Sequence, residues 1–281
     1  MPRPADRSIA TALEILPAGA VSSRRVESKN GPLFVKRTRP EFAWVLEAEA
    51  QGLELLRTAR TLRVPQVRAL TTGADEVVLE LEWIASSEGG ARTDALLGQG
   101  LARQHRSTAE RFGWERKGTI GRTTQLNDWS ADWVAFVRER RLRPQLDLAT
   151  RVGGQSWDAG YRLLEQLPEL LGGHHPVASL LHGDLWAGNW GADEGNAPVI
   201  FDPAVYYGDR EADLAMTRLF GGFGRRFYEA YTGEWPLEPG HVVRERLYQL
   251  YHLLNHANLF GGDYVDNARH TIQGLLAETR G

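Results

Sequence analysis

Short apolar runs separated by turn residues dominate the first third of the chain. Runs of this length bounded by glycine, proline and asparagine are typical of strands, and a glycine-containing turn between two of them is typical of a hairpin. One stretch differs, because between positions 41 and 57 apolar residues recur at helical spacing among strong helix formers. The pattern therefore predicts one helix at 41–57 and a small sheet with strands at 21–26, 33–36, 65–69 and 77–81.

After Trp83 the apolar positions change to helical periodicity. The second predicted helix would bury Trp129, Trp133 and Phe136 on one face, and the third would begin with Ser156 as its N-cap. Between the helical blocks, an apolar segment at 180–203 has the composition of strands and turns. The fold class is therefore α+β, a small sheet followed by a larger, mainly helical part. The predicted helices are 96–106, 128–140, 156–171, 210–220 and 242–256.

Composition narrows the functional classes. The 281 residues suffice for one large domain or for two packed lobes. The chain has no cysteine, which excludes disulfides, thiolate metal sites and cysteine nucleophiles and is typical of a reducing compartment. Asp6 and Glu14 interrupt the apolar residues of the first twenty positions, so this stretch resembles neither a signal peptide nor a membrane span. We expect a cytoplasmic protein.

Charge is nearly balanced, with 33 basic and 36 acidic residues spread along the chain. This distribution argues against a nucleic-acid or membrane surface as the partner. Arginine supplies most of the positive charge, and lysine occurs only at positions 29, 36 and 117. Each lysine position is therefore informative, although a genome-wide preference for arginine explains much of the skew.

The segment at 180–203 holds the candidate chemistry. It contains His-Gly-Asp-Leu-Trp-Ala-Gly-Asn, ending at Asn189, and Phe-Asp-Pro around Asp202. If Gly195 and Asn196 form a two-residue turn, the hairpin register places Asn189 directly opposite Asp202. Side chains of such a pair lie within about 5 Å of each other, so an amide oxygen and a carboxylate could share one metal ion.

Oxygen ligands favour magnesium over zinc at this site. Asp184 precedes Asn189 in a loop punctuated by glycine, so it can face the same cleft without binding the metal. Phosphoryl transfer requires this division of labour: a free carboxylate accepts a hydroxyl proton beside oxygen ligands that hold magnesium on phosphates. Asp184 or Asp202 alone would be a turn residue by default, but together with Asn189 they favour the functional interpretation.

We expect a residue in the first third of the chain to supply a cation for the phosphates. Lys36 ends an apolar strand, and a flexible ammonium suits phosphate oxygens as a point charge. Glu49 on the following helix can orient it, although a solvated strand end and a solvated helix face are the alternatives for these two residues. His182 is expected to hold the loop by hydrogen bonds rather than to act as a ligand or base. Asp213, on a later helix, is expected to anchor the same loop.

Several motifs carry a resemblance to a known family. The segment 182–189 is similar to a catalytic loop, and 201–204 with 207–208 is similar to a metal-binding segment, of the fructosamine and ketosamine 3-kinases. These enzymes belong to the wider aminoglycoside and choline kinase group of protein-kinase-like folds. The resemblance spans nearly the whole chain, with further similarity at 34–36, 47–49, 119–121, 125–129, 220–223 and 254–261.

The resemblance implies two lobes, an N-terminal nucleotide-binding lobe at 1–84 and a C-terminal catalytic and substrate-binding lobe at 85–281. It implies ATP and Mg²⁺ as cofactors, and transfer of the γ-phosphate to the 3-hydroxyl of a ketosamine on an amino acid or protein, which is a deglycation reaction. The catalytic base would be Asp184, the metal ligands Asn189 and Asp202, and the sugar-site residue Trp186. The nucleotide would be bound by Gly19, Lys36, Glu49 and the hinge residues Glu80, Leu81 and Glu82.

Two alternatives stay open. Another small-molecule kinase of the same fold, acting on an aminoglycoside, choline or a sugar, would share Asp184, Asn189 and Asp202. A catalytically inactive nucleotide-binding protein is less consistent with this complete set. Trp186 and the segment 220–223 favour the ketosamine branch. We expect a monomer with a small-molecule or glycated-protein substrate and with no nucleic acid or membrane as partner.

Overall fold

The computed structural model describes residues 12–279. Residues 1–11 and 280–281 lie outside the described part. The expectation that the first twenty residues form neither a signal peptide nor a membrane span falls mostly on these residues. The described chain begins with a four-stranded antiparallel sheet in the order β1-β2-β4-β3. All four predicted strands are present with slightly shifted ends: β1 (Val21–Ser28), β2 (Gly31–Thr38), β3 (Val67–Thr72) and β4 (Val77–Glu82).

Helix α1 (Ala43–Thr58) packs against this sheet through an apolar face. Leu46, Leu53 and Leu56 are buried on that face because they recur at helical spacing. The predicted start at position 41 is too early, since a short 3₁₀ turn at Pro40–Phe42 comes first.

The rest of the described chain is mainly helical, which confirms the α+β class. Its helices are α2 (Ala91–Gln104), α3 (Trp133–Phe136), α4 (Arg143–Gly153), α5 (Asp158–Leu170), α6 (Glu211–Leu219), α7 (Arg225–Glu234), α8 (His241–Phe260) and α9 (Asp263–Glu278). Short strands connect them: β5 (Thr108–Ala109), β6 (Gly118–Ile120), β7 (Thr123–Gln125), β8 (Ala178–Leu181), β9 (Trp190–Ala192), β10 (Pro198–Ile200) and β11 (Tyr206–Gly208).

The helix predicted at 128–140 begins later and ends later than expected. Asp132 caps it through a side-chain hydrogen bond to a backbone N–H, so the helix starts at Trp133. Trp129 therefore lies before the helix, stacked on another aromatic ring, and does not join the predicted face. A π-helical turn at Val137–Leu142 then continues the helix into α4.

Other helix predictions need smaller corrections. The N-cap of α5 is Trp157, while Ser156 Oγ accepts a hydrogen bond from the N–H of Asp158 at 3.3 Å. Helices α7 and α9 and most of the short strands are absent from the prediction. Strands of two to four residues carry too few positions for a period to be recognised.

A hydrophobic core cluster joins the sheet and the helices. It includes Leu79 from β4, Leu97 from α2 and Leu254 from α8, all fully buried. The predicted lobe boundary at residue 84 falls in the loop between β4 and α2 and stays a prediction. Within residues 12–279, none of the helices combines the length and the hydropathy needed to cross a membrane.

Candidate active site

The loop with the predicted base begins directly after β8. Asp213, near the start of α6, accepts hydrogen bonds from the N–H groups of His182 at 2.7 Å and Gly183 at 2.8 Å. Gly183 lies so close to Ala204 that a Cβ atom would overlap the carbonyl oxygen of that residue. Burial alone would raise the pKa of Asp213, but its hydrogen bonds and the nearby His105 hold that pKa below its usual value. The predicted anchoring contact of Asp213 is therefore confirmed.

His182 holds the same loop from the interior. Its buried ring donates from Nε2 to the carbonyl oxygen of Phe201 at 3.0 Å, and Nδ1 accepts from the N–H of Asp184 at 3.3 Å. Burial lowers the pKa of His182, which keeps the ring neutral in this arrangement. These hydrogen bonds confirm the predicted structural role.

The hairpin register differs from the prediction by one residue. Strands β9 and β10 pair Trp190 with Ile200, and the N–H of Phe201 donates to the carbonyl oxygen of Asn189 at 3.0 Å. Asn189 therefore lies opposite Phe201, and the predicted cross-strand pair of Asn189 with Asp202 is wrong.

A longer turn explains the shifted register. The loop between β9 and β10 runs from Asp193 to Ala197 and is not the assumed two-residue turn at Gly195 and Asn196. The Oδ1 atom of Asp193 accepts the N–H groups of Gly195 and Ala197, both at 2.9 Å. An aspartate that binds its own following backbone stabilises such a loop.

Asn189 and Asp202 nevertheless face the same cavity. Asn189 ends a 3₁₀ turn, and Asp202 has a left-handed backbone with φ of 55°, so neither side chain follows the alternation of a strand. The Nδ2 atom of Asn189 donates to the main-chain oxygen of Asp184 at 2.8 Å. The structure brings the three predicted residues together through turns rather than through strand pairing.

The cavity has a volume of about 250 Å³ and lies between β2, α1 and the loop after β8. The five polar residues predicted for catalysis, metal and phosphates all line it, namely Lys36, Glu49, Asp184, Asn189 and Asp202. The lining residues that the prediction missed include Trp114, Gly118 and Thr119. The motif at 119–121 was the available indication for the last of these.

Lys36 is a buried cation between two carboxylates. Its Nζ atom lies 2.6 Å from Oε1 of Glu49 and 2.8 Å from Oδ1 of Asp202. Burial alone would lower the pKa of Lys36, but the two carboxylates outweigh it and raise that pKa, so the ammonium stays charged. Burial raises the pKa of Glu49, and the attraction of Lys36 opposes this. The expected contact between Lys36 and Glu49 is present.

Asp184 is a buried carboxyl in this loop. Burial, reinforced by the charges of Asp202 and Asp213 and opposed by a hydrogen bond from Asn189, raises the pKa of Asp184 to about 7. A carboxyl with a pKa near neutrality is matched to accepting and releasing a proton.

Oxygen donors for a divalent cation are available beside it. The Nδ2 atom of Asn189 donates to Asp184, which leaves Oδ1 of Asn189 as an acceptor for a ligand. Oδ1 of Asp202 faces Lys36, and the second carboxylate oxygen remains for a ligand. Amide and carboxylate oxygens are the donors that magnesium prefers, so this donor set fits that ion.

A second cavity of about 210 Å³ lies where β4 ends. Leu81, Glu82 and Trp83 line it, and it reaches Asp202 at its inner side. Its lining is mostly apolar, which suits a flat heterocyclic ring. The two cavities therefore meet at Asp202.

The three predicted hinge residues all lie in β4, and their contact with a nucleotide stays a prediction. Glu80 and Leu81 lie inside β4, which is hydrogen-bonded to β2 on one side and β3 on the other, so their backbone groups belong to the sheet. The N–H of Glu82 donates to a carbonyl oxygen at 2.8 Å, and its carboxylate binds Arg63 at 2.8 Å. Backbone groups beyond the sheet begin at Trp83 and Ile84.

Besides Glu80 in β4, two further predicted residues line neither cavity. Gly19 forms part of a turn before β1, closed by the N–H of Ala20 donating to Pro17 at 3.1 Å. Trp186 lies in the loop between Asp184 and Asn189 and is 41% exposed. The predicted nucleotide and sugar contacts of Gly19 and Trp186 stay predictions.

Comparison with known proteins identifies the family. The family model described as fructosamine kinase matches residues 6–278. A protein assigned as a ketoamine kinase in Synechocystis sp. is 42% identical over 244 residues, which cover 86% of this chain and 82% of the relative. The chloroplastic protein-ribulosamine 3-kinase of Arabidopsis thaliana is 42% identical over 253 residues, covering 88% and 76%.

Solved structures agree with the sequence relatives. A protein described as a fructosamine-3-kinase from Thermobifida fusca has a TM-score of 0.82 at 33% identity, covering 92% of this chain and 93% of that one. A choline kinase from Streptococcus pneumoniae has a TM-score of 0.61 at 14% identity, covering 95% and 93%, and supports the fold alone. These matches confirm the kinase-like fold and the predicted resemblance. The chain is therefore a kinase and belongs to the fructosamine kinase family.

Proposed function

We propose that this kinase transfers the γ-phosphoryl group of ATP to the 3-hydroxyl of a ketosamine, a sugar-derived ketose attached to an amine. The observation that carries the proposal is the meeting of Asp184, Asn189, Asp202 and Lys36 at one cavity. Relatives named ketoamine kinase and protein-ribulosamine 3-kinase support a ketosamine as the acceptor. Phosphorylation of such an adduct is a step of deglycation.

Asp184 acts as the catalytic base in this proposal. Its carboxylate accepts the proton of the sugar hydroxyl while the bond from that oxygen to the γ-phosphorus forms and the bond to the leaving oxygen of ADP breaks. Asn189 and the anchored loop keep the carboxylate aimed at the cavity. A pKa of about 7 leaves a large fraction of Asp184 ionised at neutral pH.

Asn189 and Asp202 would hold magnesium in this proposal, through an amide oxygen and a carboxylate oxygen. When bound with ATP, the ion neutralises negative charge on the phosphates. Lys36 contacts the α and β phosphates, and Glu49 keeps the ammonium in place from α1. The adenine ring lies in the cavity at the end of β4, facing the backbone of Trp83 and Ile84, and the turn at Gly19 covers the phosphates.

An acceptor panel tests the proposal. The protein is incubated with ATP, Mg²⁺ and one acceptor at a time, and ADP release is measured for fructosyl-lysine, ribulosyl-lysine, an aminoglycoside, choline and free fructose. We expect release with the two ketosamines. Release with an aminoglycoside or choline and none with a ketosamine would replace this function by another small-molecule kinase. ATP binding without release for any acceptor would indicate an inactive nucleotide-binding protein.

The remaining predictions concern context. A monomer in the cytoplasm, without a nucleic-acid or membrane partner, stays our expectation. Size-exclusion chromatography with light scattering measures the first of these directly.

A further inference from the structure

Two helices of the mainly helical part of the chain end in the same kind of turn, a phenylalanine and two glycines. Helix α6 is followed by Phe220-Gly221-Gly222, and α8 ends in Phe260-Gly261-Gly262. All four glycines have a positive φ, between 58° and 89°, which turns the chain away at once. Each turn leaves its phenylalanine at the surface, with Phe220 40% exposed and Phe260 64% exposed.

Both phenylalanines pack on one imidazole. The ring centroid of His256 lies 4.9 Å from that of Phe220 and 5.5 Å from that of Phe260, and Tyr264 lies 5.0 Å away on a third side. The Nδ1–H of His256 donates to the carbonyl oxygen of His252 at 2.9 Å, which fixes the ring. The two turns are thus joined by a rigid aromatic platform.

A groove of about 580 Å³ runs between the two turns. We name it the aromatic groove and define it by Leu219, Phe220, Leu253, Phe260, Asp263 and Tyr264. Among the described residues that line it, Asp263 is the acidic one, and no arginine or lysine lines it. Its volume lies in the range of sites that bind drug-sized ligands.

The turn that follows α6 contacts the loop that carries the predicted base. A Cβ atom at Gly222 would overlap the Cβ of Ala187, so the first of the two turns touches the loop between Asp184 and Asn189. Trp186, the neighbour of Ala187, is also exposed. Phe220, which lines the aromatic groove, therefore lies two residues before a contact with the loop between Asp184 and Asn189.

We propose that the aromatic groove binds the peptide segment that flanks a sugar-modified lysine, with preference for apolar and basic side chains. The inference rests on the proposed function and specifies its substrate as a polypeptide. In a ketosamine two carbons separate the amine nitrogen from C3, so the chain attached to the nitrogen leaves the cavity beside the reacting hydroxyl. A lysine adduct in the form of a free amino acid carries an α-carboxylate, and no lysine or arginine lines the groove to pair with it. A peptide segment has an amide in place of this carboxylate and can place a basic side chain at Asp263.

Steady-state kinetics with two acceptors of the same sugar test the proposal. One acceptor is the ketose on the ε-amine of lysine within a peptide that has leucine and arginine neighbours, and the other is the ketose on methylamine. For Phe220→Ala and Phe260→Ala we expect KM for the peptide to rise about tenfold, because exposed aromatic anchors carry much of a binding energy. KM for the methylamine adduct and KM for ATP should change less than twofold.

Val242→Ala is the matched control. Val242 is 60% exposed on α8, about 27 Å along the helix axis from Phe260. Its truncation should leave KM for both acceptors unchanged. The melting temperatures of all three variants show whether each one folds.

The outcomes distinguish a failure of the groove assignment from a failure of the proposed function. Equal rises in KM for both acceptors, or no rise for either, would overturn the groove assignment while activity of the unaltered protein on the methylamine adduct keeps the proposed function. No phosphorylation of either ketosamine by the unaltered protein would overturn the proposed function, and the groove assignment with it.

Discussion

The Nζ atom of Lys36 lies 2.6 Å from Oε1 of Glu49, joining the second strand to the first helix inside the protein. Both side chains are about nine-tenths buried, so each charge is stabilised mainly by the other and by Asp202. Removal of one partner from a buried pair leaves an uncompensated charge, which costs more than the pair contributes when intact. The pair therefore links nucleotide binding to folding stability.

Replacing Lys36 by methionine should abolish activity and make stability depend on pH. Turnover should fall at least a hundredfold because the phosphates lose a buried cation. Loss of Lys36 raises the already elevated pKa of Glu49 further. A carboxyl with a raised folded-state pKa contributes its stability below its unfolded pKa, about 4.5, and loses it as pH rises through the folded value. Urea unfolding should show a loss of about 3 kcal/mol at pH 8 and less at pH 5.

The double variant Lys36→Met, Glu49→Gln is the control for that pH dependence. Its neutral amide has no charge to bury, so the loss relative to the unaltered protein should be similar at pH 5 and pH 8. If Lys36→Met loses the same free energy of unfolding at pH 5 and at pH 8, the ionisation of Glu49 does not control the loss of stability.

Asp184→Asn should remove catalysis and leave nucleotide binding intact. The amide keeps the shape of the side chain but cannot accept the hydroxyl proton, so we expect kcat to fall by about 10³-fold. The dissociation constant of ATP, measured by calorimetry, should change less than threefold because Lys36 and Asp202 remain. Near-normal kcat on the best acceptor would exclude Asp184 as the base.

The same substitution should stabilise the nucleotide-free and metal-free protein at alkaline pH. The pKa of Asp184 rises from an ordinary 3.8 to about 7 on folding, so its contribution is lost as pH rises through 7. Asparagine carries no such loss. The melting temperature of Asp184→Asn relative to the unaltered protein should therefore increase between pH 5 and pH 8, and a constant difference would contradict the buried environment assigned to this carboxyl.

Sequence pattern predicted those parts of the site that depend on nearby residues. Asp184, Asn189 and Asp202 lie within one short segment, and their convergence survives a register error because two turns redirect the side chains. Lys36 and Glu49 follow from a strand and the helix after it. In each case a few residues decide the geometry.

The missed parts depend on where distant elements end. The resemblance places the hinge at Glu80, Leu81 and Glu82, and the predicted strand at 77–81 stops one residue short of the end of β4 at Glu82. Thr119 reaches the cavity from the hairpin of β6 and β7, whose three-residue strands have no recognisable period, and Trp114 reaches it from the loop before β6. Only packing between elements far apart in the chain brings them there.

Asp213→Asn should loosen the loop that carries the base. The carboxylate accepts from two backbone N–H groups, and an amide can present only one oxygen while its NH₂ faces a donor. We expect a loss of about 3 kcal/mol in urea unfolding and a drop in kcat of tenfold or more, since buried charged hydrogen bonds are costly to break. Asp128→Asn, at an exposed ion pair, is the control and should change stability by less than about 0.5 kcal/mol. Equal stability of the two variants would contradict the anchor.

Gly221 and Gly222 allow a matched test of how closely the neighbouring turn must fit the catalytic loop. Both have a left-handed backbone, with φ of 71° and 89°, so alanine at either position should cost about 1–2 kcal/mol of stability. A Cβ at Gly221 meets no atom within 4 Å, whereas one at Gly222 overlaps Ala187 in the loop between Asp184 and Asn189.

Gly222→Ala should therefore lower kcat on a small ketosamine at least tenfold, because a displaced loop misplaces the base. Gly221→Ala should keep kcat within twofold at a similar loss of stability. Denaturant midpoints measured alongside kcat separate the two effects. If both variants retain full turnover, the contact between this turn and Ala187 does not position the base, and the loop is held by Asp213 and His182 alone.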